Sequence, residues 1–542
     1  MYADKIIYGE NIYSGKGEST FAGGIAVKDS KILAAGPKAE IEKYQGPDTS
    51  VYQYGDELIM PGFIDNHHHY PLAVVMEAYG IDMYDAPSPE YCVKKAQEYY
   101  DTHPDTTMIY GMGWQASNWD KNAKADRKML DDISTEIPIF LGSNDGWMFW
   151  VNSKALEILG YDKATDDDQC SGNIYLDENG EPNGLLYGSA SEKLFYLINY
   201  LDKEDSLKII EEGFKAYVNY GVTSIGEVSN EFKKPDRELK TYELLDTLYS
   251  SSDGWKQPRT FIYPCIGRNG DFSIANKLRE TYSSGKLQLR GLKGYIDGVL
   301  TTKTAVMLKP YLNSQDKGTP IYTQDELDFI VAKANAEGFA VRVHAIGDGG
   351  VRMCLDAYEH SIKENGKHGL RNCIEHIEAC NEDDLKRFKE LDVIAAINPA
   401  HAIMDESLQF IVDEDIFYEL HPFRSILDTG AVVSVATDAP IVTVNPMLTV
   451  YAGVTKCTEE GRSIFPKPND QMTIWEVLSG YTYLSAYALG MEKELGSLEA
   501  GKLADIVVLD RDLIKTAETD PKQILDIKVK LTMIDGRIVA EN

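Results

Sequence analysis

The stretch 59-IMPGFIDNHHHY-70 decides how the rest of the chain is read. An apolar run ends in an acid, an amide and three consecutive histidines, in a chain that has ten histidines in all. Successive side chains of a strand alternate faces, so His67 and His69 share one face and His68 takes the other. A His-x-His pair at a strand end suits one metal ion bound through imidazole nitrogens, and a buried hydrogen-bonded pair is the alternative. Asp65 lies on the face of His67 and could orient an imidazole.

Matching residues recur downstream. His344 ends the run FAVRVH, His376 ends RNCIEH and Asp438 ends AVVSVATD. Each run reads as a buried parallel strand. If those strands share one sheet or barrel, their C-terminal ends surround one mouth. Convergence of His67, His69, His344, His376 and Asp438 there predicts a metal site. Lys293 opens the strand candidate LKGYIDG. Burial there would favour its neutral amine, which reacts with carbon dioxide to give a carbamate able to bridge two metals. A partly exposed lysine at a strand start is the plainer reading.

From 292 to 438, strand and helix patterns alternate. TQDELDFIVAKANAEG is a helix candidate with Thr323 as N-cap and Gly338 as stop. Such alternation implies a parallel sheet. Strand candidates near 59–66, 222–227, 259–264, 292–297, 339–345, 372–376, 393–398 and 432–437 predict an α/β chain folded as a (β/α)8 TIM barrel. Residues 1–58 and 496–542 read as short strands and turns, predicting a composite β-sandwich domain from both chain ends. The barrel would span 59–495, with 75–215 an insertion subdomain after its first strand. The insertion holds Trp114, Trp119, Trp147 and Trp150, of which Trp114 and Trp147 are substrate-pocket candidates. Core packing of the insertion is the other reading for each.

The chain has 542 residues and a formal net charge of −32, which disfavours binding to a phosphate backbone. Seven scattered cysteines without a CxxC pair argue against a disulfide framework and fit a reducing compartment. No run is long and apolar enough to span a bilayer, and the start lacks the pattern of a secretion signal. A cytoplasmic protein binding neither nucleic acid nor membrane is expected.

Together these motifs resemble the amidohydrolase superfamily, in its YtcJ-like branch, which includes N-substituted formamide deformylases. PGFIDNHHH resembles the first-strand His-x-His motif, and LKGYIDGVLTTKTAVMLKPY the lysine strand. VHAIGDGGV and IEHIE resemble the later histidine strands, SVATDAP the aspartate strand, and GSLEAGKLADIVVLD the return to the terminal β-domain. The resemblance implies that His67, His69, His344 and His376 bind one or two metal ions, usually zinc. It makes Lys293 a carboxylated bridging ligand, and Asp438 a ligand and general base. 421-HPFRSIL-427 and 398-NPAHAIMD-405 resemble motifs near the pocket, so His401 and Arg424 are substrate-contact candidates. Many relatives have Asp-Gly-His where this chain has 145-DGW-147, and His-Asp where it has Gly226-Glu227. Both departures imply an altered pocket.

The implied activity is hydrolysis of a C–N bond (amide, formamide or cyclic amide) in a small molecule. A metal-activated hydroxide attacks while Asp438 accepts its proton. A homodimer is the family habit. One alternative is a deaminase of the same superfamily, but 344-HAIGD-348 lacks the glutamate such enzymes place after the third histidine. Another is a metal-binding relative without activity.

Overall fold

A computed structural model describes every residue except 85, 122, 144–147, 163–173, 188–189, 230–236 and 405. The chain divides into two compact units. The larger comprises Met1–His69, Tyr217–Asp236 and Tyr249–Asn542, and the smaller Tyr70–Ala216 and Arg237–Leu248. The fold is α/β.

Eight parallel strands form the centre of the larger unit. They are β1 (Phe63–His68), β2 (Val222–Val228), β3 (Arg259–Tyr263), β4 (Gly291–Tyr295), β5 (Ala340–Ala345), β6 (Cys373–His376), β7 (Ile394–Ile397) and β8 (Val433–Val435). One sheet holds β1, β2, β3 and the short strand Leu287–Leu289; the other runs from β4 to β8 in sequence order. Single parallel bridges join the sheets at both margins, Cys265 with Lys293 and His68 with Ala439. Backbone bonds reinforce them: Lys293 N donates to Pro264 O at 2.9 Å, and Asp438 N to His67 O at 3.0 Å. Every residue of these eight strands is buried, which is why they do not show the strict apolar–polar alternation of a half-exposed sheet.

The helices between them begin and end on local signals. Thr323 and Glu326 form a capping box for Gln324–Ala336, and Gly338 follows with φ +81°. Asn381 caps Glu382–Leu391 through Asp383 N.

Strands from both chain ends share a single eight-stranded sheet. Ile7, Ile25, Ile59, Ile506, Val508 and Leu531 pack in one cluster, while Ile6, Tyr8, Ala26 and Ile41 pack in another, as alternation along the strands requires. One correction concerns 59–61, expected to open the first central strand. Leu58–Pro61 is a strand of the terminal sheet, pairing with Ile506–Leu509, and β1 begins at Phe63. Gly62 separates them, because a Cβ there would lie 2.3 Å from Thr223 Cγ2.

The smaller unit has its own six-stranded sheet. The expected strands within 106–114 and 137–145 appear as Ile109–Trp114 and Ile139–Ser143. Helices pack on them around Leu130, Ile133, Leu141 and Trp150. Among the described residues no helix is long and apolar enough to cross a membrane, and the described cysteines form no disulfide.

Candidate metal centre

The ends of β1, β5, β6 and β8 bring five predicted donors together, all buried. Asp438 Oδ1 lies 3.0 Å from His69 Nε2 and 3.2 Å from His67 Nε2, and Asp438 Oδ2 lies 3.8 Å from His376 Nδ1. One ligand atom from each of His67, His376 and Asp438 fits within 4.8 Å of the others. The His344 and His376 ring centroids are 4.4 Å apart. His68 faces away, as alternation required, with Nε2 2.9 Å from Tyr217 Oη.

Each candidate imidazole is anchored through one nitrogen. His67 Nδ1 meets Glu375 Oε2 at 2.5 Å, His69 Nδ1 meets Val228 O at 3.0 Å, and His376 Nδ1 meets Asn398 Oδ1 at 2.9 Å. His344 is held the other way round, Nε2 to Gly298 O at 3.1 Å. That leaves Nε2 of the first three and Nδ1 of His344 for a ligand.

Two donors sit on left-handed backbone, His376 at φ +73° and Asp438 at φ +66°. Such a conformation costs a non-glycine residue on the order of 1–3 kcal/mol and tends to cluster at functional sites. Simple alternation would turn Glu375 and His376 to opposite sides. The turn at His376 instead lets both address His67, Glu375 through its carboxylate and His376 with ring centroids 4.7 Å apart.

Burial disfavours charge on the imidazoles. It pulls His69 and His376 below the usual histidine range and His344 down to about 3, so all three are neutral at pH 7. Burial alone would raise the Asp438 carboxyl, but His67 and His69 hold it well below the carboxylate range. Neutral His69, His344 and His376 beside an ionised Asp438 are the protonation states a metal needs.

Lys293 is fully buried on β4, 4.7 Å from the Tyr295 ring centroid. Desolvation lowers its amine to about 8 even though Glu375 and Asp438 favour the charged form. Among the described residues Lys293 Nζ, His67 Nε2, His401 Nε2 and Asp438 Oδ1 have no hydrogen-bond partner. Buried polar atoms left so are costly. A divalent cation would satisfy several at once, and the nitrogen and oxygen donors suit zinc chemistry. The residues present fit a metal.

His401 joins the cluster. Its ring stacks on His376 at 5.8 Å between centroids, and its Nε2 lies 3.5 Å from Asp438 Oδ2. Burial opposes its charge, but the bond to Glu378 at 3.2 Å and the nearby Asp438 outweigh this and raise its pKa. Arg424 is not brought there. Its guanidinium makes a bidentate pair with Glu476 at 2.8 and 2.5 Å and donates to Gln471 O. Trp114 belongs to the smaller unit's core. It is buried, stacks on Trp119 and donates to Leu141 O at 2.7 Å. Trp147 lies outside the described residues.

Asp65 does not orient an imidazole: its carboxylate accepts from Thr437. That role falls to Glu375, which the sequence reading passed over together with Arg342, Asn398 and Asp297. A signal existed, since Arg342 and Glu375 are charges inside otherwise apolar strands. Asp297 accepts backbone bonds from Val306, Ile346 and Gly347 and ties the turn after His344 to β4.

The amidohydrolase family matches residues 55–540 of the chain. The chain belongs to the amidohydrolase family. It falls in the YtcJ-like branch with the N-substituted formamide deformylases. It is 25% identical over 552 residues to N-substituted formamide deformylase of Arthrobacter pascens, covering 98% of this chain and 97% of that one. It is 26% identical over 517 residues to the Arabidopsis thaliana protein LONG AFTER FAR-RED 3, covering 94% and 87%. Among solved structures, an uncharacterized metal-dependent hydrolase from Pyrococcus horikoshii matches with a TM-score of 0.77 at 25% identity, covering 95% of this chain and 99% of that chain. This amidohydrolase is thus a member of a metal-dependent hydrolase superfamily.

Proposed function

We propose that this amidohydrolase hydrolyses a C–N bond of a small amide-type molecule, whether amide, formamide or cyclic amide, with Asp438 as general base. The carrying observation is the approach of His67 Nε2 and His69 Nε2 to a single oxygen of Asp438. His67, His69, His344, His376 and Asp438 would hold one or two zinc ions, with Lys293, as its carbamate, bridging two. When bound, such an ion polarises a carbonyl and lowers the pKa of a water towards neutrality. The two Asp438 oxygens face different partners, Oδ1 the pair on β1 and Oδ2 His376 and His401. One oxygen can therefore stay with the donors while the carboxylate takes the attacking water's proton and passes it to the leaving nitrogen. Water and amide become acid and amine, and no serine or cysteine nucleophile is required.

The two central sheets and their marginal bridges support reading the eight strands as one closed (β/α)8 barrel, with the terminal sheet folded as a β-sandwich. Scattered cysteines without a CxxC pair fit a cytoplasmic setting. A homodimer completes the reading.

The test is Asp438→Asn, assayed on a panel of amides, formamides and cyclic amides with metal content checked. Loss of about 10²–10⁴ in turnover with zinc retained is expected. Unchanged turnover would remove Asp438 from the mechanism.

A further inference from the structure

The geometry assigns Glu375 as a positioning residue for the metal donor His67, held in that role by Arg342 and Asn66. The inference rests on the metal-centre reading above and adds to it a buried, closed circuit of contacts. Glu375 Oε2 faces His67 Nδ1 at 2.5 Å. Arg342 grips the same carboxylate from the other side, Nε to Oε1 at 2.6 Å and Nη2 to Oε2 at 3.0 Å. Two further guanidinium bonds go to Asn66, Nη1 to its carbonyl oxygen at 2.7 Å and Nη2 to Oδ1 at 2.8 Å. Asn66 is the chain neighbour of His67, so the circuit returns to where it started. Arg342, Glu375 and Asn66 are fully buried.

Three features point to tuning of a ligand rather than to packing alone. The anchors of His69, His376 and His344 are neutral oxygens of Val228, Asn398 and Gly298, whereas His67 has a carboxylate. A carboxylate accepting from Nδ1–H fixes the tautomer with its lone pair on Nε2 and makes that nitrogen a stronger donor. Second, His67 Nε2 has no hydrogen-bond partner among the described residues and lies 3.2 Å from Asp438 Oδ1. Third, the bidentate guanidinium fixes the plane of the Glu375 carboxylate, so that Oε2 stays aimed at His67 Nδ1. A packed apolar trio would fill the same space without the desolvation cost of two buried charges.

The experiment measures Zn²⁺ affinity of the apoprotein by competition with a chromogenic chelator, and the visible spectrum of the Co²⁺-loaded form. Glu375→Gln is expected to keep the fold and weaken Zn²⁺ binding by about 10–100-fold. The Co²⁺ bands should shift, and Glu375→Asp should recover part of the affinity. If Glu375→Gln does not fold, the double variant Glu375→Met/Arg342→Met removes both charges together and should show the same weakening. A folded variant that binds Zn²⁺ as tightly as the wild type, with unchanged Co²⁺ bands, would overturn the assignment. Failure of the wild-type chain itself to take up zinc would instead overturn the metal-centre reading beneath it.

Discussion

Asp65 holds Thr437: its carboxylate accepts the Thr437 amide at 2.9 Å and the Thr437 hydroxyl at 2.5 Å. The contact joins β1 to the segment after β8, one residue before Asp438. Burial raises the Asp65 carboxyl to about 7, and the two bonds from Thr437 work against that rise. Its task is to hold the end of β1, where His67 and His69 stand, against the segment after β8 that carries Asp438. Asp65→Ala would leave two buried donors without an acceptor. A loss of about 1–3 kcal/mol in denaturant unfolding is expected, with a smaller loss for Asp65→Asn, whose amide oxygen still accepts. An alanine variant as stable as the wild type would show that the contact does not bear on stability.

Lys293 bears on the number of metals. In the proposed two-metal reading a carbamate on Lys293 would supply an anionic bridge, so Lys293→Ala is expected to lower bound zinc from two ions per chain to one, measured by elemental analysis after loading. A short carboxylate such as acetate can occupy the vacated volume and should restore part of the second equivalent. Equal metal content in wild type and variant would rule the bridge out.

Trp114 tests a different point. Its place in the core around Leu130, Leu141 and Trp150 makes it a stability residue. Trp114→Ala is expected to cost about 3–5 kcal/mol. Zinc uptake should persist in the fraction that stays folded, because every proposed donor belongs to the larger unit. Loss of zinc from chains that keep their fold would contradict this separation.

Lys286 gives a pH signature remote from the metal centre. Desolvation lowers its amine to about 8, while in the unfolded chain it keeps the ordinary lysine value of 10.5. Between those values the unfolded state binds more protons, so stability attributable to this group rises with pH. Below about pH 8 the group is charged in both states and its desolvation cost is fully felt. Lys286→Met removes that cost but also loses the bonds to Trp255 O and Gln257 O. The melting temperature of the variant minus that of the wild type should therefore fall between pH 8 and pH 10. A constant difference across that window would show that Lys286 does not titrate as burial demands.

Much of the framework was legible in the chain itself. Helix Gln324–Ala336 starts at the Thr323 capping box and is followed by Gly338, because caps and left-handed turns depend on residues a few positions apart. The alternation of buried strands with helices announced parallel sheets for the same local reason. The boundary at Gly62 was not legible. Ile59 and Phe63 are equally apolar, and their different partners, Val508 and Val222, come from distant parts of the chain.

The sequence by itself determined that His67 and His69 share a face, that His68 opposes them, and that His344, His376 and Asp438 stand at the C-terminal ends of their strand runs. Those statements follow from backbone periodicity, a property of neighbouring residues. Only the tertiary structure decided which nitrogen of each imidazole is free, that Glu375 rather than Asp65 meets His67, and that Arg424 and Trp114 are engaged elsewhere. Such outcomes depend on which distant side chain occupies the hydrogen-bonding direction once the strands are in register, and on backbone turns such as that at His376, which redirect a side chain against the local pattern.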